Sequence, residues 1–516
     1  MGILLLYVCL YTHPKSVTAL FVTDSMAFPA KLEHPTQSGS KMENLTPQPS
    51  HVVFLPFPAL GHVKPLLKLA ELLSHATFHV TFINTEFIHH RLLPSIDLDA
   101  FHRRFPNFRF LSIPDGLPTH HPRALEDLLP SIGSATLAAL RRLLISDNLG
   151  RTTTCIIADG IMPSSAVDVG DEFGIPVLAF RTFSACCTWT NFHLSKLIEE
   201  GEVPLQDKDM DKLVTCIPGL ENVLRRRDLP SICRVERAGD PILEFFIKEA
   251  KAMLRASALI LNTCHELEAP MVSKLTSFFS KIYTIGPLHA LSTVCINDDR
   301  SPLASTTGIL WKEDKGCITW LDSRPSESVV FVSFGSIVRF THEQMLEFWH
   351  GLINSGKPFL WVIRPDSIIG EDDNSGKLLM ELQERTKGKG FIVNWAPQEQ
   401  VLDHGAVGGF LTHGGWNSIM ESTHAGVPMI CWPAKSDQQV NSRFVSEVWR
   451  VGLDMKDRCE RSVVEKMVRD LMEAKRDEIM KVMGVVAKQA GESVKEGGSS
   501  YRNLEALIQD IWSITT

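Results

Sequence analysis

The sequence predicts two doubly wound parallel α/β domains facing one another across a cleft, and three observations predict it. Short apolar runs that read as buried strands alternate with stretches whose apolar residues recur at helical spacing. The alternation breaks once, at a polar run of turn formers, Asn297, Asp298, Asp299, Arg300, Ser301 and Pro302. The chain of 516 residues is too long for one compact core and suits two, and it shows no self-similarity at a fixed period.

Residues 1 to 48 read as a tail outside the fold. Their apolar run, Ile3 to Leu10, falls well short of the roughly 20 residues that span a bilayer, and no positive segment precedes it as in a secretory signal. A polar stretch from Pro29 to Ser50 follows, with the sequon Asn44, Leu45, Thr46 and with internal Met26 and Met42 as alternative starts.

The first strand is expected at His51 to Phe57, HVVFLPF, followed by the turn Pro58 to Gly61 and a helix from Pro65 to Leu73 carried by Leu66, Leu69, Leu72 and Leu73. Phe78 to Ile83 reads as the next strand, and a strand, helix, strand order predicts a parallel sheet. The rhythm continues through Cys155 to Ala158, the helical Met162 to Glu172, Val177 to Phe180 and Ala258 to Leu261. The first domain is thus placed at 49 to 290, a linker at 291 to 325 and the second domain at 326 to 496. In the second domain Ser328 to Phe334, Phe359 to Ile363, Gly390 to Val393, Gly409 to Thr412 and Pro428 to Cys431 are strand-like, and Glu343 to Asn354 is helical. Open α/β sheets bind ligands beyond the carboxyl ends of their strands, so the cleft is the expected site.

Composition narrows the function. Hydrophobic residues make up 44% and charged residues 22%, the balance of a folded globular protein, and a formal net charge of -8 shows no footprint for nucleic acid. The cluster Arg225, Arg226 and Arg227 reads as a solvated loop. Eleven Cys, with no CxxC pair, argue against a disulfide framework or structural zinc and favour a reducing compartment. There is no GxSxG elbow and no GxGxxG fingerprint, against a serine hydrolase or a dehydrogenase.

The most informative stretch runs from Gly409 to Glu421. A strand ends at Thr412, His413 and two glycines turn, and a helix starts near Trp416. Gly414 and Gly415 permit close backbone approach, and the helix start with Asn417 and Ser418 can hold an anion. An ordinary turn with an N-cap Asn or Ser fits that stretch as well. Nearby, Trp395, Ala396 and Gln398 offer an aromatic face and an amide at a strand end, and Asp437 and Gln438 offer groups for sugar hydroxyls.

The 44 residues from Trp395 to Gln438 closely resemble the signature box of plant secondary-product glycosyltransferases: WAPQ, HGGWNS, Glu421, GVP at 426 to 428, WP at 432 and 433, and Asp437-Gln438. PFPALGH at 56 to 62, LRRRDLP at 224 to 230, IGPL at 285 to 288 and VVFVSFGS at 329 to 336 extend the resemblance over about residues 49 to 516. It implies a GT-B fold, with the acceptor on the first domain, the UDP-sugar on the second and a last helix, about 497 to 516, crossing back. By position, Trp395 would stack on uracil beside Ala396 and Gln398, and Glu421 would hold the ribose. His413, Asn417, Ser418 and Ser336 would bind the diphosphate, and Trp416, Asp437 and Gln438 the sugar. Gly414, where the family usually has Cys, and Ala434, Lys435 and Ser436 depart from the pattern, with Lys435 expected in solvent.

His62 matches the family's catalytic base and Asp159 its partner. A lone His at a helix start is ordinarily a cap or surface residue, and Asp168 and Asp171 lie nearby on the following helix, but two carboxyl-edge positions of one sheet can meet as a base and its orienting carboxylate. The resemblance implies an inverting transfer of glucose from UDP-glucose, without cofactor or metal, and the expected enzyme is a cytoplasmic monomer with no membrane insertion. DGLPTHHPR at 115 to 123 and the HVKP turn are similar to glucosyltransferases of iridoids and other small terpenoids, including 7-deoxyloganetic acid. Phenolic acceptors, or a silent sugar-nucleotide-binding protein, are the alternatives.

Overall fold

The computed structural model describes residues 50–123, 125–147, 149–205, 209–296, 311, 313–369 and 372–514. The tail with its sequon, and the polar run Asn297 to Pro302 inside the expected linker, lie outside the described residues.

Seven parallel strands form the first sheet: β1 His51–Leu55, β2 His79–Thr85, β3 Phe108–Ile113, β4 Thr153–Asp159, β5 Val177–Arg181, β6 Ala258–Leu261 and β7 Ile282–Thr284, in the order β3-β2-β1-β4-β5-β6-β7. Six form the second: β8 Val329–Ser333, β9 Phe359–Val362, β10 Gly390–Val393, β11 Val407–Thr412, β12 Met429–Cys431 and β13 Gly452–Asp454, in the order β10-β9-β8-β11-β12-β13. The strand order reverses between β1 and β4, and again between β8 and β11, and each reversal opens a crevice at the carboxyl edge.

The central strands β1 and β8 are buried on both faces, as a sheet covered by helices on both sides demands. β3, β7 and β13 were not expected from the sequence. β3 and β7 end the first sheet and β13 ends the second. β3 is only partly buried, and β7 and β13 have three residues each, so none presents a long apolar run.

The helix Ser499–Ile514 returns to the first sheet. Leu504, Leu507 and Ile511 join the core beneath β1 and β2, Ser500 Oγ donates to Gly286 O at 2.6 Å, and Asp510 accepts from Lys281 and Tyr283 beside β7. The helix Leu125–Ser146 is long and apolar enough to cross a membrane by length and composition. It buries Leu128, Leu129, Ile132, Leu140 and Leu144 in the first domain's core.

Candidate active site

Both sheets deliver their carboxyl-edge residues to one cavity. On the first sheet, the helix after β1 starts at Leu60 rather than Pro65, so His62 sits in its first turn. Pro65 has no N–H for the carbonyl four residues back, that of Gly61, and Asn417 Nδ2 donates to this carbonyl from the second sheet at 2.8 Å.

His62 is nearly buried, with its ring between the edges of Phe57 and Phe183. Its Nδ1 lies 2.8 Å from Asp159 Oδ2 and 2.8 Å from Thr182 Oγ1. Both contacts fall on Nδ1, so Nε2 has no partner among the described residues. Asp159 ends β4, is 0% exposed, and accepts from the Ile161 amide at 2.9 Å through Oδ1. A carboxylate on Nδ1–H fixes the tautomer whose Nε2 lone pair can take a proton.

Two neighbours of this pair were not read from the sequence. Thr182 follows β5, and Arg181 ends that strand. Arg181 donates to Gly160 O at 2.7 Å and lies 4.4 Å over the Phe183 ring. A Cβ on Gly160 would come within 2.3 Å of Arg181 Cδ, so the glycine after Asp159 makes room for this buried cation. An arginine closing an otherwise apolar strand was the available signal. Asp168 and Asp171 instead pair with Arg255 on the exposed side of their helix.

On the second sheet, His413 follows β11 with its ring against Gly335 and Gly415. A Cβ at either would meet His413 Nε2, at 2.6 and 2.4 Å. Burial and the Arg364 guanidinium push the His413 imidazole down to about 4, against a hydrogen bond to the Ser333 backbone, so it is neutral at neutral pH. Ser336, Asn417 and Ser418 line the cavity beside it. The helix Trp416–Ala425 has no side chain capping its first turn, leaving its leading amides to bind an anion.

Gln398 Nε2 donates to Ser418 Oγ at 3.0 Å and to Glu421 Oε2 at 2.6 Å. Burial, reinforced by Glu399, pushes the Glu421 carboxyl up to about 7. Trp395 packs on Trp311 at 5.0 Å, with Ala396 buried beside it. The Trp416 indole is buried and donates to Asn262 O at 2.7 Å, so its side chain ties the helix start to the first domain.

Asp437 accepts from Asn441 Nδ2 at 2.6 Å, and burial raises its carboxyl to about 6 against that bond and the nearby His62 and Arg181. Gln438 Oε1 accepts from the Ala434 and Lys435 amides at 2.9 and 2.8 Å, which fixes its side-chain amide. Lys435 is exposed. Ser436 exchanges hydrogen bonds with Ser231, at 2.6 and 3.0 Å, holding this loop to the first domain.

The arginine cluster is not a solvated loop. Arg225 is buried, paired with Asp228 at 2.6 Å and with Asp454 at the end of β13 at 3.3 Å; Arg226 pairs with Glu202 and Arg227 with Asp457. Acidic partners on both domains make it an ionic contact between them. Among the described residues no group of three or more His, Cys, Asp or Glu side chains is set to hold a metal ion.

The sequence matches the family model of UDP-glucoronosyl and UDP-glucosyl transferase over residues 307–490. It is 48% identical over 484 residues to the 7-deoxyloganetic acid glucosyltransferase of Catharanthus roseus, covering 92% of this chain and 99% of that one. It is also 48% identical over 452 residues to the mogroside I-A1 synthase of Siraitia grosvenorii, covering 86% of each. Its structure is similar to that of UGT71G1 of Medicago truncatula complexed with UDP-glucose, with a TM-score of 0.75, 28% identity, and 90% of this chain and 99% of that one covered. With the two facing parallel sheets, these similarities establish a GT-B enzyme, and the chain belongs to the UDP-glucoronosyl and UDP-glucosyl transferase family.

Proposed function

We propose that the chain transfers glucose from UDP-glucose, with inversion, to an oxygen of a small and largely apolar acceptor of the iridoid or terpenoid class, giving a β-glucoside. One observation carries the mechanism: the His62–Asp159 pair, with Nε2 unpartnered, lines the same cavity as Gln398, His413, Ser418 and Glu421.

In this reading His62 Nε2 takes the acceptor proton as the oxygen attacks the anomeric carbon, and Asp159 stabilises the imidazolium. UDP leaves into the second sheet, with uracil on Trp395 beside Ala396 and ribose on Glu421 and Gln398. The diphosphate lies by His413, Asn417, Ser418 and Ser336, where the helix start offsets its charge without a metal or other cofactor. Asp437 and Gln438 hold the glucose, with the backbone amide of Trp416 at the helix start. The substrate named for the Catharanthus relative, 7-deoxyloganetic acid, supports the acceptor class. The ten cysteines among the described residues are free thiols, which suits a cytoplasmic enzyme, and one chain supplies both halves of the site, which suits a monomer outside the membrane.

The test is a panel of iridoid, terpenoid and phenolic acceptors with UDP-glucose, with products identified by mass and anomeric configuration. A β-glucoside of an iridoid or terpenoid is expected. Preference for phenolics would change the acceptor class, an α-linked product would remove the single-displacement scheme, and UDP binding without UDP release would make the chain a silent binder.

A further inference from the structure

One face of the helix Leu60–His75 lies against the second sheet's side of the cavity. Gly61 O accepts from Asn417 Nδ2 at 2.8 Å, and Lys68 Nζ lies 3.6 Å from Glu399 Oε2. Residues three and four apart share a helix face, so Lys64 falls between these two contacts. The opposite wall follows the same spacing, since Asn417 and Glu421 are neighbours on one face of Trp416–Ala425.

Lys64 is the position in this series without a mate. It lines the cavity and lies 5.8 Å from the centre of the Trp395 ring, yet it has no hydrogen bond or ion pair with any described residue. The cavity walls also carry the carboxyls of Glu399, Glu421 and Asp437, the neutral His413, and a Lys68 already paired with Glu399, and the charges of Glu421, Glu399 and Glu313 attract Lys64 without a hydrogen bond to it. An ammonium has three donors and no acceptor, so the mate that Lys64 lacks is an oxygen-rich ligand.

We propose that Lys64 is a donor-binding residue supplied by the acceptor-side domain, its ammonium donating to the nucleoside oxygens of a UDP-sugar seated between Trp395 and Glu421. This rests on reading the cavity as the UDP-sugar site. Uracil carbonyls and ribose hydroxyls both accept from an ammonium, and Glu421 accepts hydrogen bonds from the hydroxyls on the other side. The positive charge also favours the ionised form of Glu421, which burial disfavours. Nucleotide binding then bridges the two sheets through Lys64 on one and Trp395 and Glu421 on the other.

The experiment is calorimetric titration of UDP and of UMP into the full-length wild type, Lys64→Met and Lys64→Gln, with the melting temperature of each recorded. Losing a hydrogen bond from a charged group weakens binding by about 10-fold or more, and both nucleotides should weaken by the same factor in whichever variant folds. Wild-type affinity for UDP in a folded variant overturns the proposal. So does a loss confined to UDP, which would put the ammonium on the terminal phosphate. A wild type that binds neither nucleotide overturns the reading of the cavity itself, a result distinct from either of these.

Discussion

His62 and His413 each stand at the carboxyl edge of a parallel sheet, beside the point where strand order reverses, and both line one cavity. Their surroundings give them different chemistry. His62 has a carboxylate and a hydroxyl on Nδ1, an arrangement that holds the ring in one tautomer. His413 has two glycines against its ring and an arginine behind it, and is held neutral at about 4. Position in the fold brings a histidine to the cavity, and the second layer of residues decides what it does there.

The sharpest way to break this comparison is His62→Ala. General-base catalysis typically contributes about 100- to 10,000-fold, and kcat on an alcohol acceptor should fall by that factor while UDP-glucose affinity, measured by calorimetry, stays near wild type. Asp159→Asn should cost no more than the histidine change, and the double variant should fall short of the product of the two, because the residues act as one unit. Near-wild-type turnover by His62→Ala on an alcohol would take His62 out of the mechanism.

His413→Gln should show the opposite division, with weaker donor binding by about 10- to 100-fold, the range for a lost hydrogen bond to a charged group. An unchanged dissociation constant for UDP would remove His413 from the diphosphate site. Gln438→Ala should be milder, lowering turnover with UDP-glucose by about 10-fold while leaving UDP affinity near wild type, as its proposed contact with the sugar implies. Equal loss of UDP binding would place Gln438 with the nucleotide instead.

His413 also bears on the pH dependence of stability. His413 and His51 are pushed down to about 4 and His289 to about 3 by burial, whereas an unfolded histidine takes its proton near ~6.5. Below that pH the unfolded chain binds more protons, so these groups make stability fall as pH falls. Melting temperatures from pH 7 to pH 5 should decline less steeply in His413→Gln than in the wild type. Identical slopes would mean that His413 is not held neutral.

The buried centre of each sheet was legible because its strands are continuous apolar runs, while β3, β7 and β13 escaped because each is short or half exposed. The site divides in the same way. His62, Asp159 and the box from Trp395 to Gln438 could be placed because they lie at strand ends or on a local motif. Thr182, Arg181 and Lys64 could not, since each matters through a residue distant in sequence: His62 for Thr182, Gly160 for Arg181, and Trp395 for Lys64. Arg225 and Arg227 read as solvated for the same reason, their partners at Asp454 and Asp457 being more than 200 residues away.

Pro65 leaves the Gly61 carbonyl to Asn417, and a helix amide restored at that position would make Asn417 share the oxygen. Pro65→Ala would return an amide to the helix and let Gly61 satisfy its carbonyl locally, a gain for the first domain, since proline inside a helix costs about 3 kcal/mol. The same change would loosen the contact across the cleft. A library sorted by heat resistance alone would enrich this substitution and one sorted by product formed would discard it, so variants should be ranked by both before any is carried forward.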